Sequence, residues 1–203
     1  PDRPDISQPT LDIGKGSPTA VAFGTGSGFP PPYQNALFIL DWAYGRILAV
    51  HLSPRGSSYA AKAESFVRGR PANVTDVEFG PDGAMYFITG GRGTQSALYR
   101  VRYQGAKIDT KPATQQQRER DRHAARSRKL RRSLETLHGR RDSKAVAIAW
   151  PHLNSDDPWI RHAARVAIEW QPVKRWQPSA LTEERPWAAL EALLALVRVG
   201  PED

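Results

Sequence analysis

The chain has 203 residues, with 29 Lys and Arg against 21 Asp and Glu, a formal charge of +8, 39% apolar residues and no Cys. That length suits one large or two small domains. The lack of Cys excludes a disulfide framework, a Cys-ligated zinc site and a covalently attached c-type haem within these residues. No apolar run approaches the roughly 20 residues that a membrane span needs. The opening PDRPDISQPT is polar and starts on Pro, so no signal peptide is visible and the chain reads as an excised piece of something longer.

From residue 16 the sequence reads as strands. Short aliphatic, β-branched and aromatic runs at 20–25, 36–42, 46–52 and 59–67 are separated by Gly26-Ser27-Gly28, Tyr44-Gly45 and Ser53-Pro54-Arg55-Gly56. A second set follows at 74–79, 84–89 and 97–103, with turns at Pro81-Asp82-Gly83 and in the glycine-rich run 90–93. The two sets echo each other about 50 residues apart, a spacing that suggests propeller blades. The expected fold is two C-terminal blades of a β-propeller over residues 1–106, the last blade lacking one strand. Within them Asp41 and Trp42 end an apolar strand and would face a ligand-binding mouth. Asp76 would lie on an innermost strand. Arg92 and Gln95 sit in the loop Gly90-Gly91-Arg92-Gly93-Thr94-Gln95-Ser96, whose backbone amides and guanidinium suit a carboxylate or other anion. That loop lacks the Lys-Ser/Thr ending of a phosphate-binding loop.

Residues 107–141 carry twelve cations against four anions, the whole net charge of the chain. Residues 107–128 read as a basic linker or helix. No aromatic residue lies between Lys107 and Arg141, so there is no stacking platform for bases, which argues against a nucleic-acid partner.

From residue 113 the period becomes helical. Leu130, Leu134 and Leu137 share a face, Asp157-Pro158 has the form of a helix start, and Ile160, Ala163, Ala164 and Ala167 make a smooth, small-residue face. Leu190, Leu193, Leu194 and Val197 line the last helix, which Gly200-Pro201 would stop. Residues 129–203 are expected to form an α-solenoid of HEAT-like helices. The five His residues show no metal-ligand spacing, so no metal site and no catalytic residue is expected.

The stretches LFILDWAYGRILAVHL and VTDVEFGPDGAMYFITGGRGTQSALYRVRY resemble the propeller of large dehydrogenase-like proteins of planctomycete-type bacteria, which is similar to the quinoprotein glucose/sorbosone dehydrogenases. AVAIAWPHLNSDDPWIRHAARVAIEWQPVKRW resembles the HEAT-type repeats of the same proteins, with Asp157, Pro158 and Arg161 at the helix-start and stacking positions. The resemblance implies a periplasmic or membrane-associated, hence extracytoplasmic, oxidoreductase in which a cytochrome c domain outside this chain takes the electrons. It also implies missing propeller blades and that haem domain as partners. For the parent propeller the resemblance implies pyrroloquinoline quinone and Ca²⁺ as cofactors. Here, though, Ala43 stands at a Lys position and Asn73 and Thr75 at Arg positions, which removes the charges that would hold the quinone carboxylates. No cofactor is expected within these residues, and the fragment by itself is expected to be catalytically inert. The alternative is a non-enzymatic module that binds a protein or polysaccharide partner.

Overall fold

The computed structural model describes residues 9–106, 108 and 112–200. Lys107, Asp109 and Lys111 of the basic segment, and the Pro201 of the expected helix stop, lie outside the described residues. The chain divides into two compact units. Thr10–Ser53 and Ala60–Ala113 make the strand unit; Pro54–Tyr59 and the described residues from Thr114 on make the helical unit.

In the strand unit, β1 (Pro18–Phe23), β2 (Leu37–Asp41), β3 (Arg46–Arg55) and β4 (Ser58–Arg68) make a four-stranded sheet in sequence order, with a one-turn helix α1 (Pro31–Gln34) between the first two. β5 (Val74–Phe79), β6 (Met85–Gly91) and β7 (Thr94–Val101) make a three-stranded sheet. The pairings between β1 and β2, β2 and β3, β5 and β6, and β6 and β7 are antiparallel. Alternation sets what each strand buries. Phe38 and Leu40 on β2 pair with Ala49 and Ile47 on β3, and all four are fully buried. Met85 and Phe87 on β6 are buried too, while Ile88 between Phe87 and Thr89 is exposed. The two sheets share one core, in which Phe29 contacts the rings of Phe38, Phe66 and Phe79. Thr19 donates its hydroxyl to the Val74 carbonyl at 2.8 Å, tying β1 to β5. The turn between β2 and β3 needs Gly45, whose φ is +57° and whose absent Cβ would lie 2.6 Å from the Gly69 carbonyl oxygen.

In the helical unit α2 (Gln115–Glu135) opens on a capping box. Thr114 accepts from the Gln117 backbone N–H, and the Gln117 side chain accepts from the Thr114 N–H. α3 (Ala145–Ala149) runs into a 3₁₀ turn (Trp150–Asn154), followed by α4 (Pro158–Glu169). A second 3₁₀ turn (Val173–Arg175), α5 (Gln177–Leu181) and α6 (Pro186–Val199) complete it. α4 and α6 pack through small residues: Ala163, Ala164 and Ala167 on one helix, Ala188, Ala192 and Ala195 on the other, all buried. The fully buried Trp176 and Leu153 belong to the same core.

The expected fold class is corrected by this arrangement. A propeller sets blades around a channel and closes a ring. Residues 18–101 instead form two small sheets, of four and three strands, that bury their faces in one shared core. With the helices that follow, the chain is an α+β mixture. The 50-residue echo reflects two successive meanders, and a meander repeats in sequence whether or not it is a blade. The HEAT-like solenoid is corrected likewise. Its helix pairs would recur with similar lengths, whereas α2 to α6 have 21, 5, 12, 5 and 14 residues and are interrupted by 3₁₀ turns around a single core.

Asp157 couples two parts of the helical unit. Its carboxylate caps α4 by accepting from the Trp159 and Ile160 amides, and it accepts from the Ser57 N–H at 2.6 Å and the Ser57 hydroxyl at 2.9 Å. Gly56 lets the 54–59 turn come this close, for a Cβ there would lie 2.5 Å from Asp157 Oδ2. Asp157→Ala removes a helix cap and strands the Ser57 donors. A cap alone is worth about 1 kcal/mol, and stranding buried donors adds to it. The expected loss is about 2–3 kcal/mol, read as a lower urea midpoint at unchanged slope.

Candidate functional site

Asp41 is fully buried, and both of its oxygens are used: Oδ1 accepts from the Ser17 amide at 3.0 Å and Oδ2 from Arg46 Nε at 2.9 Å. Arg46 also donates to the Ile13 carbonyl. Asp41 therefore fastens the 13–17 segment to the β2–β3 turn. Trp42, the next residue, points its ring to the glycine-rich turn. Its indole N–H donates to the Gly90 carbonyl at 2.9 Å, and the Arg92 guanidinium lies 5.5 Å from the ring centroid. Asn73 completes the cluster by donating to the Trp42 carbonyl and accepting from the Gly90 amide. Arg92 adopts φ +49° between glycines with φ +97° and +79°, a turn that only its flanking glycines make easy. Of the five strand-unit positions, the fold brings Trp42 and Arg92 together. Asp76 is exposed on the outer face opposite Ile88 and accepts from the Val77 amide. Gln95 is exposed on β7.

In the helical unit Asp157 caps α4, Pro158 is its first residue, and Arg161 donates to the Ser155 carbonyl at 2.7 Å with its guanidinium 4.0 Å from the Trp187 ring centroid. One turn further along, a charged group fills the α4–α6 seam. Arg165 is 1% exposed. It donates to Glu191 Oε2 at 2.9 Å and Glu169 Oε1 at 2.5 Å, and Arg198 reaches Glu169 at 3.0 Å. A buried cation persists only when paired in this way. Burial pushes Glu191 up, against the pull of Arg165 and Arg161. Arg165 Nη2 also lies 3.0 Å from His162 Nδ1. A guanidinium can only donate, so Nδ1 accepts and His162 is the neutral tautomer with its proton on Nε2.

Beside this seam is an open cleft of about 500 Å³. Arg140 and Arg141 stand on one part of its wall, Trp170 on another, with Pro172, Val173 and Val199 supplying apolar surface. Trp170 is 51% exposed. Glu169 also lines the cleft, but Arg165 and Arg198 occupy its carboxylate. The Gln171 side chain fixes the wall by donating to the Arg140 carbonyl and accepting from the Asp142 amide. Nothing in the sequence marks Trp170 or the two arginines as neighbours, since 29 or more positions separate them.

The outer surface of α2 is the other polar feature. Arg122, Arg126, Lys129 and Arg132 are all exposed. At about 100° per residue they fall within an arc of about 120°, spread over about 15 Å of axis. The helix buries only Ala124 and Leu134. The cations of α2 were visible in the sequence as a total; the helix brings these four to one face, while Arg120 and Arg131 lie on the opposite side. Among the described residues no helix is long and apolar enough to cross a membrane, and no group of three or more His, Cys, Asp or Glu could hold a metal ion.

His162 carries a pH dependence. Burial foremost, then the Arg165 charge, lowers its pKa below the ordinary value of 6.5; His138 and Arg198 act in the same direction and Glu169 opposes them. The unfolded chain therefore takes up this proton first as pH falls. The stabilisation by neutral His162 is complete above about pH 6.5 and is lost as pH falls through the lower folded value. His162→Gln keeps an acceptor for Arg165 without a titrating ring. Thermal midpoints measured from pH 8 to pH 5 are expected to decline less for this variant than for the parent. No family model, curated protein or solved structure matches the chain.

Proposed function

We propose that the chain is a non-enzymatic binding module whose helical unit holds an acidic polysaccharide along the exposed face of α2. The observation that carries this reading is the row Arg122, Arg126, Lys129 and Arg132, four exposed cations on one side of a helix capped at its start. A row of like charges attracts a polymer that carries opposite charges along its length, and its contacts need no shape beyond that spacing. The segment offers no aromatic ring between residues 107 and 141, so single-stranded nucleic acid gains no stacking there. A carboxylated or sulfated glycan needs none. The resemblance to extracytoplasmic proteins supplies a setting in which such polymers are met.

The test is retention on immobilised polygalacturonate, with neutral dextran and duplex DNA as parallel surfaces. The parent is expected to bind polygalacturonate in a salt-sensitive way and to ignore dextran. Replacing Arg122, Arg126, Lys129 and Arg132 together by Gln should weaken binding by at least about tenfold, since each neutralised contact also removes a share of counterion release. Circular dichroism checks that α2 is intact. Equal binding by the variant, or tighter binding to DNA than to polygalacturonate, overturns the reading.

A further inference from the structure

We infer that the cleft between Arg140, Arg141 and Trp170 is a subsite for a single uronic-acid residue, the pyranose ring lying against the Trp170 indole and its carboxylate facing the two guanidinium groups. The ligand class rests on the proposed polysaccharide binding; the site itself rests on the geometry of the cleft.

Three observations carry it. The volume, about 500 Å³, lies within the usual range of small-molecule sites. Trp170 leaves half of its surface in water. A sugar ring presents an apolar C–H face that an exposed indole covers. The charge balance is also one-sided. Glu169 is held by Arg165 and Arg198, so it offers little repulsion. Arg140 has only a long 3.8 Å approach to Asp142 with its side chain 57% exposed, and Arg141 makes no ion pair among the described residues. Guanidinium groups pair with carboxylates through parallel N–H donors, which a neutral sugar cannot use. The wall that holds them is rigid: Gln171 is buried and bonded to the Arg140 carbonyl, the Ala167 carbonyl and the Asp142 amide. Gly139, at φ +74°, turns the chain so that the arginines follow at once.

The experiment titrates the whole protein with D-galacturonate and, separately, with D-galactose, following the indole N–H signals by NMR. D-galacturonate is expected to move the Trp170 signal saturably with a millimolar Kd, and D-galactose to bind at least tenfold more weakly. Trp170→Ala should remove the binding, and Arg140→Gln with Arg141→Gln should bring D-galacturonate down to the level of D-galactose. Both sets of side chains are exposed, and retained thermal midpoints would show that the variants fold. Equal response to the two sugars, or an unchanged Kd in Trp170→Ala, overturns the subsite. The monosaccharide is too short to span α2, so the two ideas separate. Polymer retention without a D-galacturonate response sinks the cleft alone. A D-galacturonate response with polymer retention unaffected by the α2 variant sinks the α2 reading alone.

Discussion

The close approach of α4 to α6 is the constraint from which most of the helical unit follows. Ala163, Ala164 and Ala167 and Ala188, Ala192 and Ala195 let the two helices approach closely. Arg165 and Glu191 are buried between them. Neither could remain charged there alone. Their pairing at 2.9 Å, with Glu169 and Arg161 nearby, is what makes the burial tolerable. The pair is accordingly weak evidence for net stability and better evidence for alignment, because sliding one helix along the other would separate it. His162 is drawn into the same group as an acceptor, which is why its titration reports on the seam.

The same seam decides what faces outward. With its small residues turned to α4, α6 leaves Trp187, Leu190, Leu193 and Val197 exposed. Arg161 covers Trp187 from one side, so part of that surface is already screened by a cation. At the far end of α4, the helix stops at Trp170 and the chain turns through Gln171 and Pro172. This turn is what leaves the Trp170 ring in solvent beside the arginines. A different stop by one residue would move the ring by about 100° around the axis and out of the cleft.

How much of this could be read from the residues differs between the two units. Alternation located the strands well, since Phe38-Ile39-Leu40 and Met85-Tyr86-Phe87 each place alternate side chains on opposite faces. The turns were legible too, because Gly45 and Gly83 must take positive φ. The way in which the two meanders combine was not legible. Nothing local to β1 or β5 states that Thr19 will bond to Val74, or that Phe29 will fill the space between sheets. A repeat period constrains the unit and leaves its assembly open, which is how two meanders came to look like blades. In the helices, Asp157-Pro158 announced a start through its local chemistry, but the Ser57 contact to Asp157 spans 100 positions and has no sequence signature. The Arg165–Glu191 pair, 26 positions apart, is silent for the same reason. Arg92 and Trp42 were both singled out, yet the reason they meet is the Gly90 carbonyl, a backbone atom that no side-chain pattern advertises.

The distribution of charge distinguishes the two exposed basic features from the buried one. Inside the seam, cations and carboxylates nearly balance, because desolvation permits nothing else. On α2 and at Arg140 and Arg141 there is no such requirement: water solvates each cation, and the surplus over Glu119, Asp121 and Glu135 persists without an internal reason. α2 packs through Ala124, Leu130 and Leu134, so Gln or Ser at 122, 126, 129 and 132 would cost the core nothing. Four cations on one face repel one another, which costs α2 a little stability. A polyanion lying along that face removes the repulsion and gains from the same charges. The core neither requires nor repays this row of cations, and a bound polymer would do so.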